Sequence, residues 1–444
     1  MTRLRPWKYL AALLLCGAGV AHAALPIEQW IHPSGARVHL VSSPAIPMLD
    51  LSVDFDAGSR RDPAAQAGLA RATASMLDKG LAAADGQPAL DENALAEAWL
   101  DLGAQFGASA SSDRMGFALR SLTEPALLAR ATALAARQLA HPAFPEAVWA
   151  RERERSLAAL REAETRPGTH AGRAYSRAVY QGHPYGQETT ADSLRAIGVA
   201  DMARFYRQHV MACGARVSLV GAIDRAAADR IVGQLMAGIA SHGCRALPNV
   251  PEVAPLAAPR EERIVFAAAQ AQVLLGQPGI RRDDPDFLTL LVGNHILGAS
   301  GFTSRLMDEV REKRGLTYGV YSSLAPGRHA GAFTISLQTR PDQAEAALAL
   351  SREVLTRFVA EGPTAAELQA AKDALIKGFA LRLDSNRKLL DNVANLAWND
   401  LPLDYLDTWT TKVAAVTVDD IRRAFQRVLA PDRMVSVIVG GKAP

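Results

Sequence analysis

The chain repeats itself. V-A-D-M-A-R at 199–204 leads into a β-rich run that closes on Val220-Gly221. V-D-D-I-R-R at 418–423 leads into another that closes on Val439-Gly440, an offset of 219 residues. Asp201 and Asp420 fall in the first turn of a predicted helix, where a carboxylate complements the helix dipole. The runs 217–220 and 435–439 are short, β-branched and ended by Gly, the pattern of buried strands. Matching segments offset by about half the chain read as a duplication, two similar units in tandem. Strands are predicted at 37–42 and 49–56 in the first half and at 263–268 and 271–276 in the second. Helical patterns follow at 63–79, 124–140 and 149–164, then at 284–297, 341–359 and 364–383. Strands and helices mix without β-α-β alternation. The expected fold is therefore α+β: two domains, each a mainly antiparallel sheet with helices packed on it. Pro248, Pro251, Pro255 and Pro259 mark a linker at 243–262, between an N-terminal domain at 24–242 and a C-terminal one at 263–444.

Residues 1–23 read as a secretory signal: Arg3, Arg5 and Lys8, then an apolar run to Val20, then Ala21-His22-Ala23. The apolar run is too short for a bilayer span, which takes about 20 residues. Leu15 before Cys16 does not suit lipidation. Losing those three cations from 49 basic and 46 acidic residues leaves no net charge, so nothing indicates nucleic-acid binding. Export places the chain outside the cytoplasm, in the periplasm, as a soluble protein with no membrane association beyond export. Cys213 and Cys244 then meet an oxidising compartment. They are either a disulfide or two separate buried thiols.

Residues 68–76 read G-L-A-R-A-T-A-S-M, soon after Gly58-Ser59-Arg60. Further on come His183-Pro184-Tyr185-Gly186, Leu297-Gly298, Ser304-Arg305-Leu306, and R-E-K-R-G-L-T-Y at 311–318. Together these motifs resemble the insulinase/pitrilysin family of zinc metallopeptidases, the inverzincins, in the processing-peptidase-like branch. The resemblance covers essentially all of the mature chain. It implies half of a clam-shell chamber.

The family carries G-x-A-H-x-x-E-H-M where this chain has 68–76. Two His at i and i+4 share a helix face and hold zinc, and the Glu beside the second is the general base. Here those positions are Arg71, Ala74 and Ser75. A guanidinium is always protonated and cannot ligate zinc, Ala74 has no proton acceptor, and Ser75 is a poor ligand. For the family's third ligand, counting from Ser75 gives Glu152 and anchoring on Pro167 gives Ala159. Nine His remain after residue 23, no two of them three to five residues apart. His183, before a proline, reads as a loop residue. No metal or other cofactor is expected on this chain.

Arg311 and Tyr318 match the family's substrate-binding Arg and Tyr. Gly315 between them reads as a helix end, so 307–314 is predicted helix and 316–322 strand, with the pair converging across the turn. The resemblance implies that they bind substrate backbone and stabilise the tetrahedral intermediate at a zinc site. A guanidinium and a phenol have the donors for that. On composition alone they are a dipole-complementing Arg and a packed Tyr. Arg305, Arg314 and Tyr321 are expected to be structural neighbours. The expected function is the non-zinc subunit of a heterodimeric periplasmic metallopeptidase. It would bind unfolded peptide and lend Arg311 and Tyr318 to a zinc-bearing family member. The alternative is an inactive scaffold or peptide-binding protein. Residues 298–301 lack the Lys-Ser/Thr of a phosphate loop, and no G-x-S-x-G elbow supports a serine hydrolase.

Overall fold

The structure, a computed structural model, describes residues 26–241 and 246–441. The signal segment 1–23 and Cys244 lie outside the described residues. Cys213 is held in a disulfide.

The first half contributes β1 (Glu28–Ile31), β2 (Arg37–Ser42), β3 (Met48–Phe55), a two-residue hairpin of β4 (Gly80–Leu81) and β5 (Leu90–Asp91), β6 (Gln105–Ala110), β7 (Met115–Leu122) and β8 (Arg216–Gly221). The second contributes β9 (Arg260–Ile264), β10 (Ala271–Pro278), β11 (Val320–Leu324), β12 (Ala332–Thr339) and β13 (Val435–Val439). The sheet orders are β1-β2-β8-β3-β7-β6 and β11-β12-β10-β13-β9. In each, the last strand of the half slips between two earlier ones. β8 runs antiparallel to β3 and parallel to β2. β13 runs antiparallel to β10 and parallel to β9. The sequence repeat is thus a repeat of topology. Its closing glycines are needed for close approach: a Cβ on Gly221 would lie 2.2 Å from Met48 O, and one on Gly440 2.6 Å from Ala271 Cα.

Period-2 alternation sends Leu49, Leu51, Val53 and Phe55 of β3, with Phe117 and Leu119 of β7 and Val217 and Leu219 of β8, into one apolar core. The helices Pro125–Ala140, Val199–His209 and Arg225–Met236 cover that face. The opposite face of the sheet is polar, with Asp50 and Asp54 almost wholly buried. It is roofed by a helix from the other half, Asn386–Trp398, whose Leu389, Leu390 and Val393 pack on Val41 and Val220. The exchange is mutual. The helix Pro167–Tyr180 leaves the first half and lays Ala171, Ala174 and Ala178 against Val435, Val437 and Val439 of the second sheet. Tyr175 Oη donates to Phe333 O at 2.9 Å. Burial pushes its pKa well above the ordinary phenol range.

Several expected bounds move. Of 63–79 only Leu69–Ser75 is α-helical, because two single 3₁₀ turns, Ser59–Arg61 and Ala64–Gln66, come first and Gly68 is left-handed at φ 106°. The helix within 284–297 is Phe287–Asn294, continued by a π-helical turn, His295–Ala299. The segment 307–314 is a π-helical turn, Met307–Glu312. β11 starts at Val320, so Tyr318 sits in the turn before the strand. Thr317 holds that turn, its hydroxyl donating to Gln338 O at 2.6 Å. The strand expected at 263–268 is Arg260–Ile264, drawn N-terminal by its parallel pairing with β13. Among the described residues no helix is long and apolar enough to cross a membrane.

Candidate functional site

Asp62 sets the start of the helix Leu69–Ser75. Its carboxylate accepts the Gly68 N–H at 2.8 Å and the Ala70 N–H at 2.9 Å. Burial pushes the Asp62 carboxyl up to about 6, against the pull of those two bonds. Leu69, Ala70, Ala72 and Thr73 are buried and hold the helix against the core. Arg71 and Ser75, one turn apart, share the exposed face, and Ala74 faces inward. Arg71 lines a cleft of about 360 Å³ with Leu160, Gly172 and Arg173. The Ser75 hydroxyl is spent on Ala72 O at 2.9 Å.

A zinc ion does not fit these residues. The face that would present two imidazoles presents a cation and a hydroxyl, and the base position is a methyl group. Glu152 is taken up by Arg151 and Arg155, each at 3.1 Å, and Ala159 has no donor atom. Among the described residues no group of three His, Cys, Asp or Glu is placed to hold a metal.

The structure does bring Arg311 and Tyr318 together. Gly315, at φ 60°, closes the π-helical turn by donating its N–H to Arg311 O at 2.8 Å, and Leu316 N–H donates to Val310 O at 3.0 Å. The chain then doubles back, leaving the Arg311 guanidinium carbon 5.5 Å from the Tyr318 ring centre. A second ring, which the sequence did not single out, also packs on the guanidinium: Phe302, 4.6 Å away. Its signal was a lone aromatic in the small-residue loop G-A-S-G-F-T-S, where no core position was due. Phe302 is 67% exposed and Tyr318 84%. Arg311 also pairs with Glu312. Two aromatic faces thus fix a guanidinium at an open surface.

Arg305 stands apart from this group. It makes a bidentate pair with Glu367 at 2.6 and 2.7 Å. Burial opposes ionisation of Glu367, but the bonds from Arg305 and Thr364 win and bring its carboxyl down to about 2. Arg314 is exposed. Tyr321 lies on β11, half exposed.

The motifs around 58–60 and 183–186 build a joint between the halves. A Cβ on Gly58 would lie 2.4 Å from Ser112 O, so this turn packs backbone to backbone. Buried Arg60 bridges Asp56 at 2.8 Å and Asp113 at 2.9 Å. Tyr185 Oη donates to Asp113 at 2.6 Å. From the second half, the Arg328 N–H donates to Asp113 at 3.0 Å and the His329 N–H to Tyr185 Oη at 3.2 Å. His183 Nδ1 accepts the Tyr185 N–H at 3.1 Å, and Nε2 donates to Pro251 O at 3.0 Å. His183 is therefore a loop-fixing residue in this chain. Burial, then His329, keeps its pKa below the ordinary value.

Comparison with known proteins agrees with this architecture. The family model described as insulinase (peptidase family M16) matches residues 37–193, and that of the peptidase M16 inactive domain matches 196–375. A crystal structure of a peptidase M16 inactive domain from Pseudomonas fluorescens is 35% identical, over 94% of this chain and 98% of that one, with a TM-score of 0.88. An uncharacterised zinc protease of Streptomyces coelicolor is 30% identical over 298 residues, 65% of this chain and 64% of that one. The match therefore spans less than two thirds of that relative. The periplasmic protease PqqL of Escherichia coli shares the fold at 17% identity and a TM-score of 0.79. The whole of this chain aligns with 49% of PqqL, so it spans about half of that length. The fold is α+β in two sheet-plus-helix halves, the architecture of half a clam-shell.

Proposed function

Because this chain belongs to the insulinase (M16) peptidase family, we propose that it is the zinc-free subunit of a two-chain periplasmic metallopeptidase. It binds an unfolded peptide and lends Arg311 and Tyr318 to a zinc site on a family member that carries H-x-x-E-H. The observation that carries this reading is the pairing of opposites in one chain. The helix Leu69–Ser75 offers no ligand, while Arg311 packs against the exposed rings of Phe302 and Tyr318. A guanidinium so fixed has N–H donors ready for a carbonyl oxygen, and a preorganised donor stabilises an oxyanion without reorganising. Among the described residues the edge strand β6 pairs with β7 alone and has backbone groups to hold an extended peptide. Unfolded substrates are favoured because only they offer a free strand. The half-length alignment to PqqL supports a second chain as the other half, and likeness to a periplasmic protein supports export. Residues 24–242 and 263–444, joined by 243–262, are taken as the two units, with the last three linker positions, Arg260–Glu262, drawn into β9 of the second sheet.

Three measurements test the reading. Elemental analysis of the purified chain is expected to find no stoichiometric zinc; about one zinc per chain would overturn it. The chain alone should leave peptides uncut and should support cleavage when its partner is added. In that complex, Arg311→Ala should lower turnover by about 10- to 100-fold, equivalent to about 1.4–2.7 kcal/mol. Unchanged turnover with intact assembly would return Arg311 and Tyr318 to packing roles.

One observation favours the second reading, an inactive scaffold or peptide-binding protein: the Arg311 charge is already paired with Glu312. Co-purification separates the two. A zinc-bearing relative supports the subunit, and an unrelated assembly supports the scaffold.

A further inference from the structure

A second concentration of guanidinium groups lies in a cavity of about 430 Å³ in the second half. Its walls come from the helix Phe287–Asn294 and its π-helical extension, from the loop after β11, and from the exchanged helix Asn386–Trp398. Arg282, Arg382 and His295 line it with Asn294 and Asn395, and no Asp or Glu does. Arg282 stacks on Phe287 at 3.8 Å and on Tyr405 at 5.2 Å, and its Nη2 donates to Tyr405 Oη at 3.1 Å. Arg382 stacks on Trp409 at 5.4 Å. Among the described residues neither makes an ion pair with a carboxylate. Their guanidinium groups contact rings and one phenol.

The neighbouring groove, about 760 Å³ on the polar face of the first sheet, differs in this respect. Asn395 lines both spaces. In the groove each sheet guanidinium is neutralised in place, Arg114 by Asp54 at 3.3 Å and Arg120 by Asp50 at 3.1 Å. In the cavity the positive charge is left over. Stacking holds a guanidinium by its faces and leaves its in-plane N–H groups available, the geometry that matches a carboxylate. Burial, then Arg382, keeps the His295 pKa below its ordinary value, so at neutral pH the imidazole adds a polar group rather than a third charge. The remaining wall includes Leu291, Leu324 and Leu375, suited to an apolar group beside the anion. A π-helical turn such as that at His295 often marks a functional site, and the volume falls in the range of ligand pockets.

We infer that this cavity binds a peptide carboxylate, with Arg282 and Arg382 as the donors and the leucine wall taking an adjacent apolar side chain. The carboxylate is either the peptide's C-terminus or an Asp or Glu side chain. The pocket goes beyond the role proposed for Arg311, since it needs neither a partner chain nor zinc.

Calorimetry on the purified chain alone tests it, with three decapeptides of one apolar-rich sequence. The first has a free C-terminus and no acidic side chain. The second is the same peptide amidated. The third is amidated with one internal Glu. At least one carboxylate-bearing peptide should bind about 10-fold or more tightly than the neutral amide. The tighter of the two names the source of the carboxylate. Arg382→Gln, a change at an exposed side chain, should remove that preference and move the thermal midpoint by no more than about 2 °C, the loss of one exposed cation–π contact. Equal affinity for all three peptides, no binding by any, or a preference that survives Arg382→Gln would each overturn the assignment. Because no partner enters the measurement, the outcome is independent of whether Arg311 assists a zinc site.

Discussion

The helix Leu69–Ser75 and the segment from Phe302 to Tyr318 occupy related places, each leading toward the edge strand of its sheet, yet they divide structure and chemistry differently. In the helix, the frame residues Leu69, Ala70, Ala72 and Thr73 are buried, and two of the three positions where the family keeps its zinc chemistry, 71 and 75, face solvent. Packing fixes the frame and leaves those two positions unconstrained. Imidazoles can therefore be replaced there without unfolding the helix, as they are in this chain. In the second segment Tyr318 and Phe302 are held out in solvent around Arg311. Burial does not account for aromatic rings there. A family frame says little about the chemistry at 71 and 75, because those positions lie on the open face of a helix whose other face is buried.

The largest effect should come from the frame. Leu69 is 3% exposed, and Leu69→Ala should cost about 2–5 kcal/mol by denaturant unfolding, through lost burial and the cavity left behind. Arg71→Ala, two residues on, should stay within about 0.5 kcal/mol. Comparable losses at both positions would break the division between frame and open face.

A smaller effect belongs to Asp62, which ties the helix start to the core. Its carboxyl is raised by burial to about 6, from 3.8. A carboxyl raised in the folded state binds its proton more tightly there than in the unfolded chain. The linked stability is fully present below about pH 3.8 and is lost as pH rises through about 6. Over that window Asp62 should withdraw on the order of 1–3 kcal/mol. Asp54, also raised to about 6 by burial, slopes the same way, so the test is a difference. Asp62→Asn, which cannot titrate, should flatten part of the slope between pH 4 and 6. An identical slope in the variant would show that Asp62 is not the group responsible.

The sequence was legible where local pattern and packing agree. The offset repeat foretold two sheets, because Gly221 and Gly440 end matching strands for the same steric reason. Alternation placed β3, and short β-branched runs closed by Gly placed β8 and β13, each within a residue or two. The Arg311–Tyr318 pair was found through its resemblance to the family motif, and Gly315 then marked the turn that folds one onto the other. What stayed hidden depends on long-range contact. The helices Pro167–Tyr180 and Asn386–Trp398 were not among the helical patterns read from the sequence, and nothing local says that each covers the other half's sheet. Phe302 reaches Arg311 across a loop. Arg282 and Arg382 are far apart in sequence, and their lack of carboxylate partners is visible only in three dimensions.

The finest test falls on Tyr318. The side chain is 84% exposed, so its contribution to stability is limited to its contact with Arg311. A cation–π contact at an exposed site is worth about 0.5–1 kcal/mol. Tyr318→Phe keeps the ring and should leave stability unchanged, while Tyr318→Ala should cost no more than that contact. A loss above about 1.5 kcal/mol in Tyr318→Ala would exceed what the ring contact supplies and make Tyr318 part of the frame. If the phenol serves a partner's site, Tyr318→Phe should still lower turnover in the complex, by about 10-fold for one lost donor. Loss of turnover without loss of stability is the signature that separates the two regions. A side chain retained for packing fails by unfolding, and one held out for chemistry fails while the fold stands.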